Sequence, residues 1–217
     1  MTSQHATRTA IAAPPAQAGP QHDGLLTVRG VGVTLLAAGL VGLAAAFVLA
    51  VEKFLLLTEP FYVPSCTINA TMSCGPVMTS PQAEVFGFPN PLLGIAGFAV
   101  LTATGAALAG GAELARWYWA GLQAGVSAGL AFVAWLVFQS VFVIGALCPY
   151  CLAVWAATIT AFWYVTLCNL RHGLQPRLTG RTGVLIGTAA RYHSSLLVLL
   201  LVGLAALVAG GTLWGRA

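Results

Sequence analysis

Five apolar runs divide the chain, separated by polar intervals of very different length. They cover about 30–51, 91–110, 120–143, 149–168 and 195–213, and none of the five contains a charged residue. A helix needs about 20 such residues to cross a hydrocarbon core at 1.5 Å per residue. The pattern therefore predicts an all-α integral membrane protein with five transmembrane helices. The first run exceeds the 7–15 residues of a signal-peptide core, so it is expected to remain as a membrane helix. Trp117-Tyr118-Trp119 leads into the third run as an interfacial aromatic belt.

The intervals carry the rest of the organisation. Residues 1–29 are polar, small and proline-containing without apolar period, which predicts a disordered tail. Glu52 and Lys53 end the first run, although Phe54-Leu55-Leu56-Leu57 extends the apolar character beyond them. Residues 58–90 hold Pro60, Pro64, Pro76, Pro81 and Pro89, two cysteines, Glu59 and Glu84, and read as a structured loop outside the membrane.

Composition agrees with this division. The chain is 59% hydrophobic and 6% charged, with mean hydropathy +0.88, whereas about a quarter of the residues of a soluble domain are charged. The nine basic residues form no run with interleaved aromatics, which excludes a nucleic-acid surface. They report orientation instead. With the N-terminus inside, Arg8, Arg29, Arg116, Arg171, Arg177, Arg181 and Arg191 are cytoplasmic and only Lys53 and Arg216 are outside, as the positive-inside rule requires. The 58–90 loop and the short 144–148 link then share the outer surface.

Four of the five cysteines fall on that surface as two close pairs, Cys66 with Cys74 and Cys148 with Cys151. In Cys148-Pro149-Tyr150-Cys151, positions three apart share one helix face with Cβ atoms about 5–6 Å apart, slightly wider than a disulfide needs. Pro149 suits a first helical turn, so Cys148 falls near the N-cap, where the helix dipole favours thiolate. Two dithiols on one membrane face can relay electrons by thiol–disulfide exchange. No dinucleotide fingerprint or Walker motif is present, and none of the four histidines lies in a span to hold haem. A lipid-soluble acceptor such as a quinone is left by elimination. Cys168, near the opposite end of its helix, reads as an inert apolar residue.

The stretch Cys66-Thr67-Ile68-Asn69-Ala70-Thr71-Met72-Ser73-Cys74, then Ser80, then Phe86-Gly87-Phe88-Pro89-Asn90-Pro91-Leu92-Leu93-Gly94, and finally Cys148-Pro149-Tyr150-Cys151, resembles the vitamin K epoxide reductase family, in particular its bacterial disulfide-forming members. The resemblance spans roughly residues 30–168. It implies a four-helix transmembrane bundle plus a fifth transmembrane helix, the bundle holding a quinone of menaquinone, ubiquinone or vitamin K type, a loop capping it on the extracytoplasmic side, and electrons from a thioredoxin-like (DsbA-like) partner. By that likeness Cys66 and Cys74 are the loop shuttle pair and Cys148 and Cys151 the pair that reduces the quinone, with Cys151 nearest the ring and Cys148 exchanging with the loop. Ser80 matches a supporting loop hydroxyl, and Asn90 an asparagine that can hydrogen-bond a quinone carbonyl. Trp155 stands where animal members carry a tyrosine. Gln139, near the outer end of the third span, is a further candidate to face the quinone. The family's fused thioredoxin-like domain is not found in this sequence, so the partner is expected to be a separate polypeptide, working beside the lipid and quinone pool of a bacterial cytoplasmic membrane and without a metal.

Other readings stay open at this stage. Cys66–Cys74 could be a plain staple, Ser80 the N-cap of a short helix starting at Pro81, and Asn90-Pro91 an ordinary helix-start turn. A DsbB-type oxidase performs the same net reaction with the opposite order of cysteine pairs. Vitamin K epoxide could be the substrate of the same site. A four-thiolate metal-binding membrane protein is the non-enzymatic reading, for which the spacing fits common zinc sites poorly.

Overall fold

A computed structural model of the chain describes residues 27–69, 72–171, 188 and 191–214. The tail read over 1–29, save its last three residues, and Arg8, Arg177, Arg181 and Arg216 lie outside them. The described residues form an all-α membrane bundle. Helix α1 is Val28–Thr58, α2 Cys74–Met78, α3 Pro91–Ala109, α4 Arg116–Phe138, α5 Pro149–Asn169 and α6 His193–Trp214. Four of them, α1, α3, α4 and α5, are long and apolar enough to cross a bilayer. α6 is the fifth apolar helix, tied to α5 where the Tyr164 hydroxyl meets His193 Nδ1 at 3.2 Å.

α1 departs most from the sequence expectation. It does not end at Glu52 and Lys53 but runs on to Thr58, 31 residues in all and about 46 Å at the helical rise, longer than the hydrocarbon core. Phe54 to Leu57 continue the helix past the two charges. Both charges are buried, Glu52 at 5% and Lys53 at 7% exposure. A buried charge is tolerable only when it is paired and hydrogen-bonded, and the 59–84 loop supplies those partners.

The packing is uneven. α1 lies against α3 and α5, and α4 lies against α5. The α1–α3 seam is closed tightly enough that a Cβ on Gly105 would run into the Leu36 backbone, and one on Gly32 into Leu108 and Ala109. α3 and α4 instead stand apart. A hydrogen bond of 2.5 Å between the hydroxyls of Thr104 and Tyr118 joins them at the end far from the loop.

At its other end α4 loosens into a π turn over Gln139–Ile144 and stops at Gly145, whose φ of 70° suits a residue without Cβ as the helix terminator. Four residues later Pro149 opens α5 with Cys148 at the N-cap position. Leu147 forms a parallel bridge with Met72, and Ser73 N–H donates to the Leu147 carbonyl at 2.9 Å. The two cysteine-bearing segments are thereby joined through their backbones, one residue before Cys74 and one before Cys148.

Candidate functional site

The four paired cysteines meet at the loop end of the bundle. Cys66 and Cys74 are joined in a disulfide with Cα atoms 5.8 Å apart. Cys148 and Cys151 are free thiols. The sulfurs of Cys66, Cys74 and Cys148 all lie within 4.8 Å of one another, and all three residues are buried, in a shell that includes Leu49 and Met78. Because two of these sulfurs are bonded to each other, the cluster presents one thiol facing a disulfide, not three thiolate ligands.

Cys148 is the thiol that stands beside the loop disulfide. Its pKa lies below that of an ordinary cysteine chiefly because the Cys151 side chain hydrogen-bonds to its sulfur, helped by the Cys151 and Tyr150 N–H groups. Burial, and more weakly the Glu52 carboxylate, oppose this shift. The N–H contribution is what the N-cap position provides, since the first turn of a helix has donors without intrahelical partners.

Cys151, one turn into α5, belongs to different surroundings. It lies on the wall of a cavity of about 580 Å³ that extends between α3 and α4, from Cys151 and Asn90 at the loop end to Trp117 and Tyr118 at the other. Cavities of this size, mostly apolar with a few polar groups at one end, are the usual form of a small-molecule site. Gly121 and Gly125 leave the α4 side open, because a Cβ added at either would meet nothing within 4 Å.

A sequence model described as the vitamin K epoxide reductase family matches residues 33–166. The chain belongs to the vitamin K epoxide reductase family. No curated protein matches the chain significantly. Membership of the vitamin K epoxide reductase family makes this an oxidoreductase acting on thiols and disulfides, in a family that uses quinones and thioredoxin-like partners.

The four supporting candidates, Ser80, Asn90, Gln139 and Trp155, all lie on the cavity wall with Cys151. Trp155 is 2% exposed and packs against Val133, Val137 and Leu147. Gln139 accepts from Gln82 Nε2 at 3.5 Å, linking the loop to α4. Asn90 donates from Nδ2 to the Gln82 carbonyl at 2.7 Å, while its Oδ1 is buried without a partner. Ser80 does sit at the N-cap of a 3-10 turn, Pro81–Glu84, but its hydroxyl makes no capping bond. It donates backwards to the Val77 carbonyl at 2.7 Å, so the capping expectation is corrected. Glu84 pairs with Lys53 at 2.8 Å. Cys168 is buried near the far end of α5.

Sequence reasoning gave Glu52 and Lys53 no role, ending the first span at them while allowing Phe54 to Leu57 to continue the helix. The signal was present in the leucines that follow them: a charged pair inside a continuing apolar run is buried, and so must have partners.

Proposed function

We propose that the protein is a quinone-dependent thiol oxidoreductase that reoxidises a thioredoxin-like partner and so drives disulfide formation in exported proteins. The observation that carries this reading is the sulfur path. Cys148 faces the loop disulfide within 4.8 Å, and Cys151, three residues on, borders the apolar cavity.

The steps follow from thiol–disulfide exchange, in which a thiolate attacks one sulfur and expels the other. A reduced partner gives its two electrons to Cys66–Cys74 and leaves oxidised. The Cys74 thiolate attacks Cys148 of a Cys148–Cys151 disulfide, and Cys151 departs as thiolate. Cys66 then attacks Cys74, closing the loop disulfide and releasing Cys148. The arrangement described here, loop oxidised and Cys148 and Cys151 free, corresponds to the stage after that transfer. The Ser73–Leu147 hydrogen bond favours Cys74 as the loop sulfur that bonds to Cys148, because it ties the residues preceding both.

A quinone in the cavity supplies the sink for two electrons and two protons. The wall residues suit it: Asn90 offers an unpartnered buried oxygen, able to accept from a quinol hydroxyl, and its second N–H is free of the bond to Gln82. An unpaired buried acceptor is costly, and such a hydroxyl would remove the cost. Trp155 shapes the wall one turn beyond Cys151. The thiolate of the Cys148/Cys151 pair donates here as their disulfide reforms.

Arg29, Arg116, Arg171 and Arg191 all flank the helix ends opposite the cysteines, which supports an N-terminus on the cytoplasmic side and redox chemistry on the extracytoplasmic side. The test is anaerobic quinone reduction by the purified protein with a dithiol donor, beside the same assay with vitamin K epoxide. Turnover with quinone should be abolished by Cys151→Ala, and retention of most of the rate would overturn the assignment. Faster turnover of the epoxide than of every quinone would replace the proposed substrate.

A further inference from the structure

The two buried charges of α1 are adjacent in sequence yet hold opposite flanks of the redox loop. Residues one apart on a helix do not share a face, so each reaches a different segment. The Glu52 carboxylate accepts from Ser65 N–H at 3.2 and 3.3 Å, from the Ser65 hydroxyl, and from the Tyr62 hydroxyl at 2.8 Å. Ser65 is the residue immediately before Cys66. Lys53 donates to the Met78 carbonyl at 2.8 Å and pairs with Glu84, on the flank beyond Cys74. Cys74 has a second support in the Ser73–Leu147 bond. For Cys66, the ties at the preceding residue converge on Glu52 among the described residues.

We propose that Glu52 is a positioning residue that keeps Cys66 beside Cys74 after the loop disulfide has opened, so that Cys66 can resolve the Cys74–Cys148 mixed disulfide. This inference rests on the relay proposed above and deepens it. In the resolving step the Cys66 thiolate attacks the Cys74 sulfur, the Cys66–Cys74 bond forms, the Cys74–Cys148 bond breaks, and Cys148 leaves as thiolate. No external oxidant or reductant enters. While Cys66 is unbonded, its distance from Cys74 is set by the segment around Ser65, and that segment is held by hydrogen bonds to a carboxylate, stronger than those between neutral groups. A glutamine at 52 would retain one acceptor oxygen and turn an amide N–H₂ toward donors.

The experiment measures the Cys74–Cys148 mixed disulfide in the full-length protein during turnover with reduced thioredoxin as a protein donor and quinone. Samples are quenched in acid, free thiols are blocked, and the cross-link is quantified by peptide mass spectrometry. Cys66→Ala removes the resolving thiol and should accumulate the species strongly. Glu52→Gln should raise its steady-state level about tenfold over the native chain, the scale of one lost charge-assisted hydrogen bond. Ser65→Ala and Tyr62→Phe, which leave the carboxylate in place and remove one donor each, should raise it by smaller factors. A native level in Glu52→Gln, with accumulation in Cys66→Ala, overturns the role of Glu52 and leaves the relay standing. No accumulation in Cys66→Ala overturns the relay itself. If Glu52→Gln fails to fold, Ser65→Ala and Tyr62→Phe decide, and native levels in both overturn the proposal.

Discussion

The two cysteine pairs are held by different means. Cys148 and Cys151 are fixed within four residues by the first turn of α5 and by Pro149, and need no distant contact to face the same way. Cys66 and Cys74 belong to a segment whose α-helix, among the described residues, is the five residues of α2. They are held by side chains of α1 and by a backbone bond to Leu147. A pair set by a helix turn stays where it is when its bond opens, whereas a pair clamped from outside can be displaced by whatever competes for the clamp. That contrast is what a shuttle and a fixed terminus require.

The comparison can be broken most severely at its junction. Cys148→Ala should abolish quinone reduction with every thiol donor, because the loop then has no thiol to exchange with; turnover surviving with a protein donor would mean that the loop reaches Cys151 directly. Cys66→Ala should separate the pairs. Activity with a small permeant dithiol should persist, since Cys148 and Cys151 remain, while activity with a protein donor should be lost, and equal loss with both donors would count against a shuttle.

A smaller effect is expected from the cavity. Gly125→Leu would project a side chain into space between α3 and α4 that is open at this position, and should raise KM for a long-chain quinone about tenfold, about 1.4 kcal/mol, with partner exchange unchanged. Loss of the fold instead would show that the gap is needed for packing. A finer change concerns the thiol. Thiolate is the form present above the pKa, and the lowered pKa of Cys148 keeps it reactive at a pH where an ordinary cysteine is protonated. The alkylation rate of Cys148 should therefore fall at a lower pH than that of an ordinary cysteine. Glu52→Gln, which removes a charge that raises this pKa, should move that fall to still lower pH. Movement in the opposite direction would contradict the electrostatic account. The smallest effect belongs to Cys168→Ala, where quinone reduction should match the native chain.

The apolar runs made the membrane bundle legible, because length and absence of charge suffice to identify a spanning helix. The helix-borne pair was legible for a related reason: Cys-x-x-Cys with proline at the second position encodes its own geometry. The loop pair could be read as a shuttle candidate only together with the second pair and the motif around Phe86-Gly87-Phe88-Pro89-Asn90. The contacts of Glu52 and Lys53, and that between Gln82 and Asn90, were not legible. Their partners lie 8 to 31 residues away in a proline-rich segment, where neither periodicity nor propensity specifies which donor meets which acceptor. The gap between α3 and α4 was equally hidden, since glycines closing the α1–α3 seam and glycines lining the cavity look the same in a sequence.

The bridge between Met72 and Leu147 makes the junction of the two pairs a sheet of a single rung. Alternate residues of an extended segment point to opposite sides, so the pairing register decides which side chain is offered to the neighbour. A slip of one residue would shift Cys74 by about 3.3 Å along the Leu147–Cys148 segment, and would disturb the proposed electron path without breaking any covalent bond. An insertion or deletion of one residue between Met72 and Cys74 would thus change where Cys74 stands against Cys148.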